Sequence, residues 1–199
     1  MSQEKIGDVQ LEQGNLVEAL EAYLKSMALR ERLTTSDPSN AVWQHDLASS
    51  HCFVGIILQT QGRLSDALTE YQEYRSVMQR LATSDPPNAT WQRDLTVSQE
   101  KIGDVQLGQG NLGEALVAYR QSMAVRERLA TSDPSNATWQ RDLVVSHYKL
   151  AGVAQQEGRE SETLEHLRAC RNIMLSMQAA DMYLDPPLQQ LLAKLRGLD

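Results

Sequence analysis

The sequence predicts an all-α protein, an α-solenoid of stacked antiparallel helix hairpins closed by a C-terminal capping helix. Three observations predict it. Marker residues return every 48 positions: Gly14, Gly62, Gly110 and Gly158; Trp43, Trp91 and Trp139; Pro38, Pro86 and Pro134; Tyr23, Tyr71 and Tyr119. Between the markers, apolar residues advance by three or four, the spacing that places side chains on one face of a helix. Each unit thus carries one apolar stripe with nothing of its own to bury it against, so neighbouring units must cover one another. A second interval of 96 lies over the first: residues 2–47 match residues 98–143 at 37 of 46 positions, and Ser50-His51 returns as Ser146-His147. A two-unit block has been duplicated, so odd and even units present different surfaces.

The first unit (about 1–37) lacks the Asn-Ala-x-Trp-Gln-x-Asp-Leu opening of the other three. Its second helix, from about Leu16 to Thr35, should expose apolar surface at its far end. There the chain would continue a longer array or form a homo-oligomer. The second unit covers about 38–85 and the third about 86–133. In the third, Trp91, Leu95, Ser98, Ile102 and Val105 share one face of a helix from Ala89 to Gln109, with Asn88 as its N-cap. Gly110 ends it where a left-handed residue is needed, and Asn111 can open the next. That second helix turns Leu112, Ala115, Leu116, Tyr119, Met123 and Leu129 inward until Ser132-Asp133-Pro134 stops it. Small residues recur on first helices (Gly7, Gly55, Gly103, Ala151) and on second helices (Ala19, Ala67, Ala115). A helix-interior Gly costs about 0.5–1 kcal/mol relative to Ala, so its recurrence predicts close backbone contact. The fourth unit (about 134–181) fades after Met174. Asp185-Pro186-Pro187 then introduces a capping helix over about 186–197, with Leu188, Leu191, Leu192 and Leu195 on one face.

Ile6-Gly7, Gly14, Ala19-Leu20, Tyr23 and Ser26, and again Ile102-Gly103, Gly110, Ala115-Leu116, Tyr119 and Ser122, stand at the spacing of the tetratricopeptide repeat, which the chain resembles over nearly its whole length. It departs from that pattern in three places: no early-helix aromatic stands near Gln3 or Gln99, the second small position is Ser, and the closing Pro comes late. The period of 48 exceeds the usual 34 by 14 residues, about two extra turns per helix. The resemblance thus implies long-helix units of the same topology in a right-handed superhelix, with the three Trp residues packing in the added turns.

Composition narrows the partners. The 19 Lys and Arg are outnumbered by 26 Asp and Glu, for a net charge of −7. Phosphate backbones need clustered cations, and a membrane span needs roughly 18 apolar residues in a row. Neither nucleic acid nor membrane is therefore expected as a partner. The N-terminus has no secretory pattern, and two cysteines build no disulfide framework, so the expected location is the cytoplasm.

Catalytic and cofactor motifs are also wanting. Gly108-Gln109-Gly110-Asn111-Leu112-Gly113 spells a dinucleotide fingerprint, but a helix precedes it where a strand is required. It reads as an inter-helix turn. His51 and His147 invite a metal, yet they lie two units apart and read as separate, partly exposed histidines. His45 and His166 have no matching partner in sequence. Cys52 and Cys170 read as small buried apolar residues. Asn88-Ala89-Thr90 and Asn136-Ala137-Thr138 are glycosylation sequons by spelling only. No enzyme, no metal and no cofactor is expected.

The acidic pairs Glu4/Asp8 and Glu100/Asp104 lie four apart on a helix, where like charges cost roughly 0.2–0.5 kcal/mol per pair. Either nearby cations offset this, in a salt bridge or on a solvated face, or the carboxylates have a use. The resemblance supplies the use, because first helices of that family line a concave groove that receives an extended peptide or partner helix. Carried across, the partner-binding positions are Glu4, Asp8 and Leu11; Cys52, Ile56 and Gln59; Glu100, Asp104 and Leu107; Tyr148, Gly152 and Gln155. Acidic and apolar patches alternate, and the cations that clamp a peptide's C-terminal carboxylate elsewhere in the family are absent. The expected partner is a protein or peptide of basic or mixed basic and apolar character. The expected function is a non-catalytic protein-interaction module, with a self-assembling scaffold or a segment of a larger signalling protein as the alternative.

Overall fold

The computed structural model describes residues 3–198, which form nine helices and no strand among the described residues. They are α1 (Gln3–Glu12), α2 (Leu16–Ser36), α3 (Ala41–Thr60), α4 (Leu64–Ser84), α5 (Ala89–Gly108), α6 (Leu112–Ser132), α7 (Ala137–Gln156), α8 (Glu160–Ala179) and α9 (Pro186–Leu195). The architecture is an all-α solenoid, and within each of its two compact units successive helices pack against one another. Two compact units are distinguished, Met1–Asn111 with α1 to α5, and Leu112–Asp199 with α6 to α9.

Turn chemistry sets where the helices end. After α1, α3, α5 and α7 the chain passes through Gly14, Gly62, Gly110 and Gly158 at φ between 70° and 81°. A Cβ would strain that left-handed backbone. At the first turn Gly14 N–H donates to Leu11 O at 3.0 Å and Asn15 N–H to Gln10 O at 2.8 Å, the paired bonds of a Schellman end; the other three turns repeat them. The following Asn behaves differently from expectation: Asn15 makes no side-chain cap bond to α2. Its amide donates back to Gln10 Oε1 at 2.7 Å, as Asn111 donates to Gln106 Oε1 at 2.8 Å. The turn is thereby fastened to the helix it leaves.

The opposite turns use the Asn-Ala-x-Trp-Gln signature. Asn40, Asn88 and Asn136 accept from the backbone N–H of Trp43, Trp91 and Trp139 at 3.1, 3.2 and 3.2 Å, satisfying a first-turn donor. The adjacent Gln reaches backwards, since Gln92 donates to Ala82 O at 2.9 Å and Gln140 to Ala130 O at 3.1 Å. One dipeptide thus helps close both helix ends.

Inside the hairpins, Ala19, Ala67, Tyr23 and Tyr71 are fully buried or nearly so. A Cβ on Gly7 would stand 2.8 Å from the Tyr23 ring, and one on Gly55 would stand 2.6 Å from the Tyr71 ring. The small residues mark ring-on-backbone contacts. α9 covers the end of the second unit as expected, burying Leu188, Leu192 and Leu195 against Met174 and Met177 of α8. Its N-cap is Asp185, whose Oδ1 accepts from Leu188 N–H at 3.0 Å while Oδ2 accepts from Arg141 at 2.6 Å. At the other end of the chain, Leu29 and Leu33 of α2 are 55% and 44% exposed, the apolar surface expected there.

Candidate functional site

In the first unit the nominated positions lie on α1, α3 and α5. Glu4 is only a third exposed and accepts from Arg30 Nη2 at 2.6 Å. The same guanidinium donates through Nη1 to Asp46 O at 3.1 Å and to Ser50 Oγ at 2.6 Å, so one cation joins α1, α2 and α3. Asp8 is exposed and accepts a hydrogen bond from the Tyr23 hydroxyl. Burial and the Asp8 hydrogen bond raise the Tyr23 pKa, which keeps that hydroxyl a donor. The cation offset weighed in the sequence is therefore present at Glu4, and Asp8 is the more accessible carboxylate of the pair.

Leu11, Ile56 and Leu107 are half-buried. Gln59 is half-buried and accepts from Tyr71 OH at 2.9 Å. Cys52 is half-buried against the cluster of Val77, Met78 and Leu81. Burial pushes its thiol up to about 11, so at neutral pH it is an apolar contact and a poor nucleophile. Glu100 and Asp104 are half-buried, and both are engaged in interactions within the protein.

In the second unit α7 carries Tyr148, Gly152 and Gln155. Tyr148 is 53% exposed, and Gln155 is exposed too. Tyr148 borders a groove of about 290 Å³ between α7 and α9, floored by Val144, Val145, Leu188 and Leu191, with Arg141 and Lys194 at its rim. The sequence reading has α9 purely as a cap and misses its part in this groove. The signal in the sequence is the width of the apolar face, since Leu188, Leu191, Leu192 and Leu195 offer more leucines than burial against α8 uses, and Leu191 is left half-buried beside the groove.

Three of the histidines pair within their own hairpins, and His45 pairs with a carboxylate of the following first helix. His51 Nδ1 meets Glu70 Oε2 at 2.7 Å, and His147 Nδ1 meets His166 Nδ1 at 3.0 Å. His166 therefore has a partner, which the 96-residue interval foretells, since Glu70 and His166 are equivalent positions. Burial first and His166 second push the His147 imidazole down to about 4. His45 Nε2 meets Asp94 Oδ2 at 2.7 Å, and chiefly that hydrogen bond raises its pKa. Cys170 is fully buried and its Sγ–H donates to Val144 O at 3.4 Å. Among the described residues no three His, Cys, Asp or Glu converge on a metal-sized site, and no helix is long and apolar enough to cross a membrane.

No protein-family model matches the sequence, and no curated protein matches it significantly. Solved structures do match. Their architecture and that of this chain agree: the fold is tetratricopeptide-like. BtubC (BKLC) from P. vanneervenii aligns at a TM-score of 0.69 and 16% identity, over 92% of this chain and 65% of that one. A putative kinesin light chain from Podosopora anserina with nearly identical TPR-like repeats aligns at 0.61 and 20% identity, over 99% of this chain and 93% of that one. The Rap conjugation gene regulator of plasmid pLS20, solved in complex with the Phr* peptide, aligns at 0.60 and 14% identity, over 98% of this chain and 52% of that one. This chain thus spans just under two thirds of the length of BtubC and about half that of the Rap regulator.

Proposed function

We propose that the chain is a non-catalytic interaction module, a long-helix relative of the tetratricopeptide repeat whose first-helix faces bind a peptide or protein segment. The observation that carries this reading is Tyr148, an exposed aromatic at the edge of a formed apolar groove. Aromatic side chains on such edges supply contact area at little entropic cost, and Tyr also offers a hydroxyl. The likeness to a regulator solved with a peptide bound supports the same reading at the level of fold. In the first unit, exposed Asp8 and the half-buried Glu100 and Asp104 favour basic or mixed basic and apolar partners, with affinity that weakens as salt rises.

Fluorescence anisotropy with short labelled peptides of basic-apolar and acidic-apolar sequence tests this. Tyr148→Ala should weaken the preferred peptide about tenfold, the equivalent of ~1.4 kcal/mol. Neutralising Glu100→Gln with Asp104→Asn should weaken basic peptides about threefold and flatten their salt dependence. A preference for acidic C-terminal peptides, insensitive to all three changes, contradicts the proposal.

A further inference from the structure

Where α7 and α8 meet, two imidazoles face each other through like atoms. His147 Nδ1 and His166 Nδ1 stand 3.0 Å apart, and the rings are tilted by 49°. At that distance no more than one of the two nitrogens carries a proton, so at least one lone pair is turned on the gap. The packing holds the rings from both sides. One turn away on one side Cys170 Sγ–H donates to Val144 O at 3.4 Å, and one turn away on the other Leu150 is fully buried. Glu162 Oε1 lies 3.9 Å from His166 Nε2, and Arg159 and Arg120 fix that carboxylate in place. A carboxylate on that side favours the proton on Nε2 and frees Nδ1. Next to His166 a solvent-open cavity of about 340 Å³ is bordered by Glu127, Glu162 and Glu165. These three carboxylates outnumber the guanidinium groups of Arg120 and Arg159, so the local field favours a cation.

We propose that His147 and His166 chelate one divalent transition-metal ion, of the Cu²⁺ or Ni²⁺ kind, through their Nδ1 atoms, with water completing its shell. Imidazole nitrogens bind such ions at about 2.1 Å, so two of them at right angles are about 3.0 Å apart, whereas a tetrahedral angle needs about 3.4 Å. The observed separation fits the right-angle positions of a tetragonal or octahedral ion. The same chain holds its own contrast. At the equivalent place in α3–α4, His51 Nδ1 stands 2.7 Å from Glu70 Oε2, an acceptor that satisfies the ring by itself. Where Glu70 stands, the second half has His166, a second nitrogen donor in place of a charged acceptor. A bound ion ties α7 to α8 and adds stability by mass action. This inference does not rest on the first-helix faces binding anything.

The test is calorimetric titration of CuCl2 into the full chain near neutral pH, in a buffer that does not chelate copper. One ion bound per chain is expected, and its electron paramagnetic resonance spectrum should carry the coupling of two imidazole nitrogens. His147→Gln and His166→Gln should each weaken binding about tenfold or more, while His51→Gln leaves it unchanged. Thermal unfolding of the unaltered chain should move to higher temperature with Cu²⁺, and that of His166→Gln should not. Circular dichroism confirms that each variant is folded, and the spectrum of the unaltered chain decides the matter without any variant. Absence of saturable binding overturns the proposal. Binding that both α7–α8 variants retain, or a spectrum carrying fewer than two imidazole nitrogens, overturns it as well.

Discussion

Hairpins α3–α4 and α7–α8 are cut from one template and differ where their two helices meet. In the first, a histidine faces a carboxylate, His51 against Glu70 at 2.7 Å, and Gly55 lies under the Tyr71 ring. In the second, a histidine faces a histidine, His147 against His166 at 3.0 Å, and the other two positions hold Ala151 and Leu167. The same backbone thus accepts an imidazole against a carboxylate and an imidazole against another imidazole. It also accepts two ways of filling one volume, a large ring over no side chain or a smaller side chain over a methyl. Contact chemistry has diverged while helix geometry has not.

The largest expected effect breaks the volume half of that comparison. Gly55→Ala should destabilise the protein by about 1–3 kcal/mol, because the new methyl meets a fully buried ring that has little room to move. Adding Tyr71→Leu, which copies the Ala151 and Leu167 arrangement, should restore part of the loss. Chemical denaturation of the single and double variants reads both, and two purely additive losses would show that the positions are not coupled.

Removing a cap is next. Asn40→Ala and Asn136→Ala should each cost about 1 kcal/mol, since both side chains accept the Trp backbone N–H at nearly the same distance. Equal losses would place the divergence in side-chain contacts and leave the shared turns alike. A clear inequality would move part of it into the backbone.

Acid sharpens the electrostatic half, with a smaller effect. His147 binds its proton near pH 4 when folded and near 6.5 when unfolded, so the unfolded chain holds more protons between those values. Its neutral-state stability is full above about pH 6.5 and is lost as pH falls towards 4. Burial chiefly lowers the His166 pKa; Glu165 raises it, Arg120 and Arg159 lower it, and Glu162 Oε1 stands 3.9 Å from His166 Nε2, so the net direction is still down. With the ring partly exposed, a loss on the order of 1 kcal/mol is expected. His45 has the opposite sign. Its raised pKa stabilises the fold below about pH 6.5, an effect lost as pH rises through the folded value. Hydrogen exchange between pH 7 and 5 should therefore show the α7–α8 amides opening more readily while those around His45 do not. His166→Glu, which recreates the His51 and Glu70 pairing, should abolish the acid response of α7–α8. If both hairpins respond alike, the histidine pair is not its source.

Helix limits, turns and the capping segment could be read from residues alone, because each depends on groups within about six positions of one another. Gly110 with its two backbone bonds and Asn88 with Trp91 are examples. The exposed apolar surface at the far end of α2 was legible as well, because the first unit lacks the opening motif of the other three, while the structure identified Leu29 and Leu33 as the residues that carry it. The state of the candidate binding residues was a different matter. Glu4 is neutralised by Arg30, 26 positions away, and Asp8 is held by Tyr23, 15 positions away. The Tyr148 groove needs α9, which begins nearly 40 residues later. Local hydrogen bonds and φ preferences are written into adjacent residues, whereas the pairing of a charge or the walls of a groove depend on which distant side chains packing brings within a few ångströms.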